Sequence, residues 1–422
     1  MSSNLIAPIL QGESSPPSLW RNRNFNIFWT GQTINSLGDS FAFIALPLLV
    51  LQATGSVAQM GLVTGLFGLG QLLANLVSGL VVDRVNRRKL MIVCDIGQAL
   101  VYMLAPIGWW LLGSQIWLIY LLTFVGAILS AFFQVAYITA IAGLVEREQV
   151  TEANGRLQVT VGTCFVVGPM LAGLLSAIFG PIVALGLNSI SFLFSAISLC
   201  LVQWNKQLPP DQKYKPNIWN EWLEGAKFLF RQPVLRAVAL LLAVNSFIST
   251  AGLDLFIFYL KHPLGQSDDT VGLVLGVASI GAIASGIGVA PLRRKFGFGV
   301  CWLGGLAVGS LCIGLIGFVQ GIIAIAILSI FYMFGNMVSG ISSMSLRQQI
   351  TPSHMLGRVT AFFWFFMRVP GMFGAAITTA IAEVTGVTFM LVAMGAIGVL
   401  LSAVGLLTPA RQRYPERYEQ KG

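Results

Sequence analysis

Long apolar runs broken by short polar turns set the pattern of this chain. Segments 60–82 and 90–112 are each long enough, at about 1.5 Å of rise per residue, to carry a helix across a hydrocarbon layer about 30 Å thick. Between them stands Gly79-Leu-Val-Val-Asp83-Arg84-Val-Asn-Arg87-Arg88-Lys89, whose charges require an aqueous turn. Read the same way, the whole chain predicts twelve spans: 26–51, 60–82, 90–112, 116–141, 159–179 and 181–202, then 237–259, 270–290, 298–319, 322–343, 359–383 and 387–407. Connections as short as Gly113-Ser-Gln115 force neighbouring helices to run antiparallel.

Composition narrows the class. With 56% hydrophobic and 10% charged residues, a soluble domain could not cover its apolar surface, whereas an all-α polytopic membrane protein has no need to. The net charge of +9 would suggest nucleic acid in a soluble protein, but here the basic residues sit in turns. They fall on one side: Arg21 and Arg23, the 84–89 turn, Arg147 and Arg156, residues 206–236, residues 293–295, Arg347 and Arg358, and the 411–421 tail. The positive-inside rule makes that side cytoplasmic and puts both termini there, in a cell inner (plasma) membrane. Lys261, in an outer loop, and Arg368, inside the eleventh span, break the pattern. Five cysteines without a Cys-x-x-Cys pair indicate neither a disulfide framework nor a metal site. The two histidines, His262 and His354, lie on opposite sides with no nucleophile–base pair or phosphate loop, so no enzyme and no cofactor is expected. The chain is expected to act as a monomer among membrane lipids, without nucleic acid.

The longest connection divides the spans six and six. It gives an N-terminal tail (1–25), a first bundle (26–202), a linker (203–233), a second bundle (234–407) and a C-terminal tail (408–422). Within the linker, Trp219, Trp222, Leu223, Ala226 and Phe230 share one helical face, which predicts a helix lying on the membrane surface. The halves echo each other: Asn35-Ser36 returns as Asn245-Ser246, Ser78-Gly79 as Ser285-Gly286, and Asn154-Gly155-Arg156 with Gly168-Pro169 as Leu356-Gly357-Arg358 with Pro370-Gly371. The common order of these echoes points to duplication.

These residues resemble the major facilitator superfamily over essentially the whole chain. Gly79, Asp83, Arg84, Arg87, Arg88 and Lys89 match its signature in the turn after the second helix, and Gly168-Pro169-x-x-Ala172-Gly173 resembles its antiporter motif. Leu37-Gly38-Asp39, Ala45-Leu46-Pro47, Thr54-Gly55-Ser56, Glu224-Gly225-Ala226-Lys227-Phe228 and Leu356-Gly357-Arg358-Val359 resemble the drug:proton antiporter branch that includes macrolide and enterobactin exporters. The resemblance implies two pseudo-symmetric six-helix bundles, with helices one, four, seven and ten facing a cavity that opens alternately to either side.

The chemistry of the motifs can be argued without the family. Asp83 at a helix end can cap a neighbouring helix N-terminus, and the basic cluster can bridge to acidic groups or lipid phosphate across the bundle interface. Gly79, Asp83, Arg84, Arg87, Arg88 and Lys89 are therefore gate candidates, although Arg87, Arg88 and Lys89 also serve topology. Asp95 is expected to pair with that cluster. In the fifth span Gly162, Gly168 and Gly173 with Pro169 permit a bend and a close approach to a neighbour.

Ionisable groups in the bilayer are functional candidates by default. Asp39 lies about 20 Å along the first span, near mid-membrane, with Asn35 one turn behind, and is the candidate proton carrier. Asp254 shares a face with Ser246 and Thr250 nearer the outer end, as a gate or second protonation site. Arg368 needs a counter-charge, for which Asp39 and Asp254 are the deep choices. Glu383, near the exit of its span, reads as solvent-exposed. Neutral polar and aromatic groups recur on the cavity-facing helices, Gln134 and Tyr137 in the fourth span and Tyr332, Asn336 and Ser339 in the tenth at spacings of three or four, together with Asn35, Phe43, Asn245, Thr250, Phe256 and Trp364. They describe a mostly apolar pocket for a bulky amphipathic compound. The fourth span lacks the arginine that many proton antiporters of the superfamily carry, so proton coupling rests on the branch and on Asp39. The expected function is export of an amphipathic small molecule (a drug, macrolide-like compound or siderophore) against protons. The rivals are a lipid or lysophospholipid flippase of the same fold and a non-transporting membrane sensor.

Overall fold

The computed structural model describes residues 19–113, 115–141, 144–145, 149–204, 218–352 and 355–415. Helices make up nearly all of them, with no strand among the described residues. The first bundle holds α1 (Arg23–Thr54), α2 (Val57–Arg84), α3 (Arg87–Leu112), α4 (Ile116–Ile141), α5 (Val150–Phe179) and α6 (Pro181–Leu201). After α7 (Ile218–Arg231) come α8 (Pro233–Ser249), α9 (Gly252–Lys261), α10 (Asp268–Phe296), α11 (Phe298–Ile316), α12 (Ile322–Ile350), α13 (Leu356–Thr385) and α14 (Val387–Leu406). Counting α8 and α9 together, 12 segments are long and apolar enough to cross a membrane.

Local chemistry sets the helix limits. Asn22 caps α1 by accepting from Phe25 N at 3.0 Å, and Asn86 caps α3 by accepting from Lys89 N at 3.1 Å. Gly180 (φ 81°) and Gly386 (φ 93°) are each the single residue between two helices, α5–α6 and α13–α14, and sit in backbone space that favours glycine. Their matching places in the two bundles carry the duplication into the backbone. The same echo appears in packing: Gly168 of α5 lies against Ser40 of α1, and Gly371 of α13 lies against Ser246 of α8 and Thr250 at its end.

Both ends of the described chain lie at one face, here called the basic face. Asn24 Nδ2 donates to the Gln203 carbonyl at 2.9 Å, joining the start of α1 to the end of α6. Arg413 donates to the Lys295 carbonyl and Tyr414 to that of Arg294, at the end of α10. The bundles meet chiefly through α2 against α13 and α5 against α10. In the half away from the basic face, one continuous apolar core runs through both bundles, from Ala45, Leu48 and Met60 to Leu255, Val271 and Ala375. In the basic half the core is split: Phe25, Phe28, Met91 and Leu199 belong to the first bundle, and Leu235, Trp302, Leu346 and Phe362 to the second.

Two sequence expectations change here. The seventh span is broken at Thr250–Ala251 rather than continuous. Thr250 Oγ1 bonds the Ser246 carbonyl at 2.6 Å, and Gly252 follows, so side-chain competition and weak helix propensity coincide there. The amphipathic linker helix is present, but the described part of its apolar face packs on protein. Trp222 meets Phe362 and Phe365 at ring distances of 4.7 and 4.9 Å, Leu229 is fully buried, and Glu224 pairs with Arg358 at 2.6 Å. Gly225 makes this docking possible, because a Cβ there would lie 2.6 Å from the Arg358 carbonyl oxygen. Leu223, expected on that face, is exposed.

Candidate substrate and coupling site

Three chambers that share lining residues lie around α1, the first within the first bundle and the other two between the bundles. One, of about 370 Å³, is walled by α1, α3, α4, α5 and α6 and includes Asn35, Asp39, Phe43, Gln98, Gln134 and Tyr137. A second, of about 350 Å³, shares Asp39, Phe43, Gln98 and Gln134 with the first and adds Thr64, Phe67, Tyr102, Thr250 and Asp254 from α2, α3 and the broken seventh span. A third, of about 110 Å³, holds Phe43, Phe165, Pro169, Phe256 and Tyr332. The two larger volumes are within the range of small-molecule sites, and no Lys, Arg or His lines any of the three.

Asp39 projects into both larger chambers from the middle of α1. It has no hydrogen-bond or ion-pair partner among the described residues. Asp254 enters the second chamber from the opposite bundle and is 2% exposed. It occupies the first turn of α9, where the helix dipole favours a carboxylate, and accepts from Thr64 Oγ1 at 2.6 Å. The break in the seventh span creates that helix start in the interior. Asp254 is thus a contact between bundles as well as a wall of the chamber.

Arg368 does not reach either carboxylate. Its Nη1 donates to Gln71 Oε1 of α2 at 3.2 Å, so the counter-charge expected from sequence is replaced by a neutral amide. Asp95 also departs from expectation. It is fully buried in α3, and neither carboxyl oxygen has a hydrogen-bond partner. Arg88 instead donates to the carbonyls of Leu199 and Cys200 at 3.0 and 2.6 Å, satisfying the C-terminus of α6 within its own bundle. Lys89 is exposed at the start of α3. The side chains of the gate candidates at 79, 83 and 84 lie outside the described residues.

The expected cavity set divides. Asn35, Phe43, Gln134, Tyr137, Thr250 and Tyr332 line chambers; Asn245 and Asn336 line none of the three. Asn336 Nδ2 turns back to the Tyr332 carbonyl at 2.9 Å and packs on Gly309 of α11. Asn245 Oδ1 accepts from Ser249 within its own helix at 3.5 Å. The walls also come from helices the resemblance did not assign to the cavity: Thr64 and Phe67 from α2, Gln98 and Tyr102 from α3, Phe165 from α5. Polar spacing could have found them, since Asp95, Gln98 and Tyr102 form one stripe of α3, as Thr64 and Gln71 do on α2.

Of the α5 motif, Gly173 meets Gly272 of α10, whose Cα lies 2.5 Å from where a Cβ of Gly173 would stand. Gly168 makes the contact to α1, and Pro169 borders the chambers. Gly162 faces open space and makes no close approach, contrary to expectation. Glu383 is exposed, as expected, and its Oε2 also accepts from Ser56 Oγ at 2.6 Å and from Ala58 N at 2.9 Å, so a residue of α13 caps the N-terminus of α2 across the bundle interface. Nearby, Gln52 of α1 donates to Asp268 of α10 at 3.0 Å, and Lys261 pairs with the same carboxylate.

Comparison with known proteins places these features. The Major Facilitator Superfamily profile matches residues 28–375. The chain is 23% identical to the multidrug efflux pump Tap of Mycolicibacterium fortuitum over 384 residues, covering 88% of this chain and 92% of Tap. It is 26% identical to the enterobactin exporter EntS of Citrobacter koseri over 411 residues, covering 88% and 89%. Among solved structures, a bacterial homologue of the human lysosomal transporter Spinster, inward-facing and unoccupied, superposes with a TM-score of 0.74 at 15% identity, covering 96% of this chain and 98% of that one.

Proposed function

The chain belongs to the major facilitator superfamily, and on that premise we propose that it exports an amphipathic small molecule in exchange for protons, by alternating access. It is a membrane transporter with efflux-pump relatives; the substrate and coupling are the proposal. The observation that carries it is Asp39: an unpartnered carboxyl in a membrane-spanning helix, set in a chamber lined mainly by aromatic rings, amides and serine hydroxyls, with no other charged group. Such walls suit a bulky, weakly polar compound, and the carboxyl supplies a proton-binding group where that compound would sit. The asymmetry of basic residues supports placing the basic face and both termini in the cytoplasm of a plasma-membrane protein. Among the described residues, the core joined in the far half and split in the basic half supports a cavity closed to the outside and facing inward.

The test uses everted membrane vesicles carrying the full chain, with ethidium, a macrolide and a catecholate siderophore as probes. An imposed proton gradient is expected to drive accumulation of at least one probe, and Asp39→Asn to abolish the gradient dependence. Accumulation of none of the three, or full gradient dependence in Asp39→Asn, would overturn the reading.

A further inference from the structure

Outside the chambers, a groove of about 540 Å³ runs between α1 and α6 at the basic face and shares none of their described lining residues. We propose that this groove binds one anionic phospholipid of the leaflet at the basic face. Its floor forms where Gly31 of α1 sits against Ser198 of α6; a Cβ at Gly31 would overlap the serine hydroxyl. α6 packs chiefly on α1, α3 and α5 of its own bundle, and its Phe194, Ile197 and Leu201 in the groove are 52%, 55% and 62% exposed. A face of a spanning helix that no protein covers borders lipid. The occupant is therefore drawn from the bilayer rather than from the transport pathway.

Charge and depth select the kind of lipid. Trp20, Arg21 and Arg23 form the mouth. Trp20 is held edge-on against Trp29 at 5.8 Å and under the Arg156 guanidinium, 4.1 Å from its ring centroid. Asn26 Nδ2 donates to the Trp20 carbonyl at 2.8 Å, fixing the turn that carries Arg21. Both arginines are exposed, and among the described residues no Asp or Glu lines the groove. Two cations without an acidic neighbour attract a phosphate and leave the ammonium of a zwitterionic headgroup without a partner. Below the mouth the walls are Ile27, Ile34 and the three exposed α6 side chains, with Thr30 and Ser198 as the polar groups. The Ser198 hydroxyl is already spent on the Ser195 carbonyl, at 2.8 Å. From Arg23 to Ile34 the helix extends about 16 Å, close to the depth of one leaflet of a hydrocarbon layer about 30 Å thick. A soluble anion would use the mouth and leave the apolar walls bare, whereas a phospholipid matches both.

Native mass spectrometry of the purified full chain in detergent tests this, with phosphatidylglycerol and phosphatidylcholine of one chain length offered in equal amounts. One phosphatidylglycerol per chain is expected to bind in preference, and Arg21→Gln and Arg23→Gln are each expected to cut that preference about fivefold. Equal binding of the two lipids, or an undiminished preference with both arginines replaced, sinks the proposal. Because those arginines also orient the chain in the membrane, Ile197→Trp gives a second reading. It keeps both charges, fills the apolar part and is expected to weaken phosphatidylglycerol binding; unchanged binding rejects the groove as the site. Glycerol phosphate, which carries the anionic headgroup without acyl chains, is expected not to displace the lipid. Displacement at matching concentration would assign the mouth to a soluble anion and refute the lipid. None of these measurements uses transport, so failure here and failure of the exporter reading are distinguishable.

Discussion

Thr64 shows how much a single hydroxyl decides. In sequence it is one threonine in an apolar span; in the folded chain it donates to Asp254 across the bundle interface at 2.6 Å. A hydrogen bond to a charged group contributes about 1.5–3 kcal/mol. Thr64→Val should therefore lower the melting temperature in detergent, while Thr64→Ser, which keeps the hydroxyl, should melt close to the parent. Equal melting of the two variants would remove the bond from the account. Asp39 and Asp254 were legible because a carboxylate deep in a span is conspicuous in any reading. The partners were not: Gln71 and Thr64 are ordinary polar residues until the fold sets them opposite Arg368 and Asp254.

At the scale of elements, close approaches between helices are the features most exposed to substitution. Gly173 and Gly272 bring α5 and α10 together with no space for a side chain. Gly173→Leu should wedge the bundles apart at the far half and abolish transport while the chain still inserts, as read by surface expression beside efflux of a probe dye; normal efflux would show that the contact opens freely. The α7 contact is a second case. Gly225→Val would drive a side chain into the Arg358 carbonyl, at a cost of about 1–3 kcal/mol for overpacking. The expected result is a displaced α7, with Trp222 fluorescence shifted toward that of a solvated indole. An unchanged emission maximum would mean that α7 tolerates the bulk. The amphipathic pattern announced α7 as a helix, but pattern alone does not distinguish a membrane surface from the flank of α13, since both are apolar.

Over the whole molecule, every described hydrogen bond between bundles lies in the far half or at mid-depth, including Gln52–Asp268, Glu383 with Ser56 and Ala58, Thr64–Asp254 and Gln71–Arg368. Glu383 holds the N-terminus of α2 as a helix cap contributed by the other bundle. Helix caps contribute about 1 kcal/mol, which corresponds to a change of about fivefold in the ratio of two states. Glu383→Gln should accordingly raise the population open at the far face, seen as a longer spin-label distance between the start of α2 and the end of α13. An unaltered distance distribution would show that the cap does not bias the equilibrium.

The sequence by itself determined what depends on the solvent and on local geometry. Hydropathy fixes the number of spans because an apolar helix of that length has a low-energy environment in the bilayer, and the turns follow from Asn caps and from glycines such as Gly180 and Gly386. The repeated Gly-Pro and Asn-Ser signals likewise carry the duplication. Which side chains meet was decided by the tertiary structure alone. A basic cluster reads the same whether Arg88 crosses to the other bundle or satisfies the end of α6, and Glu383, exposed at its helix end, shows its role as a cap of α2 only once α2 is packed beside it. The break at Thr250–Ala251, the burial of Asp95 without a partner and the chamber wall contributed by α2 and α3 depend on contacts between residues distant in sequence. A reading of one span at a time has no access to them.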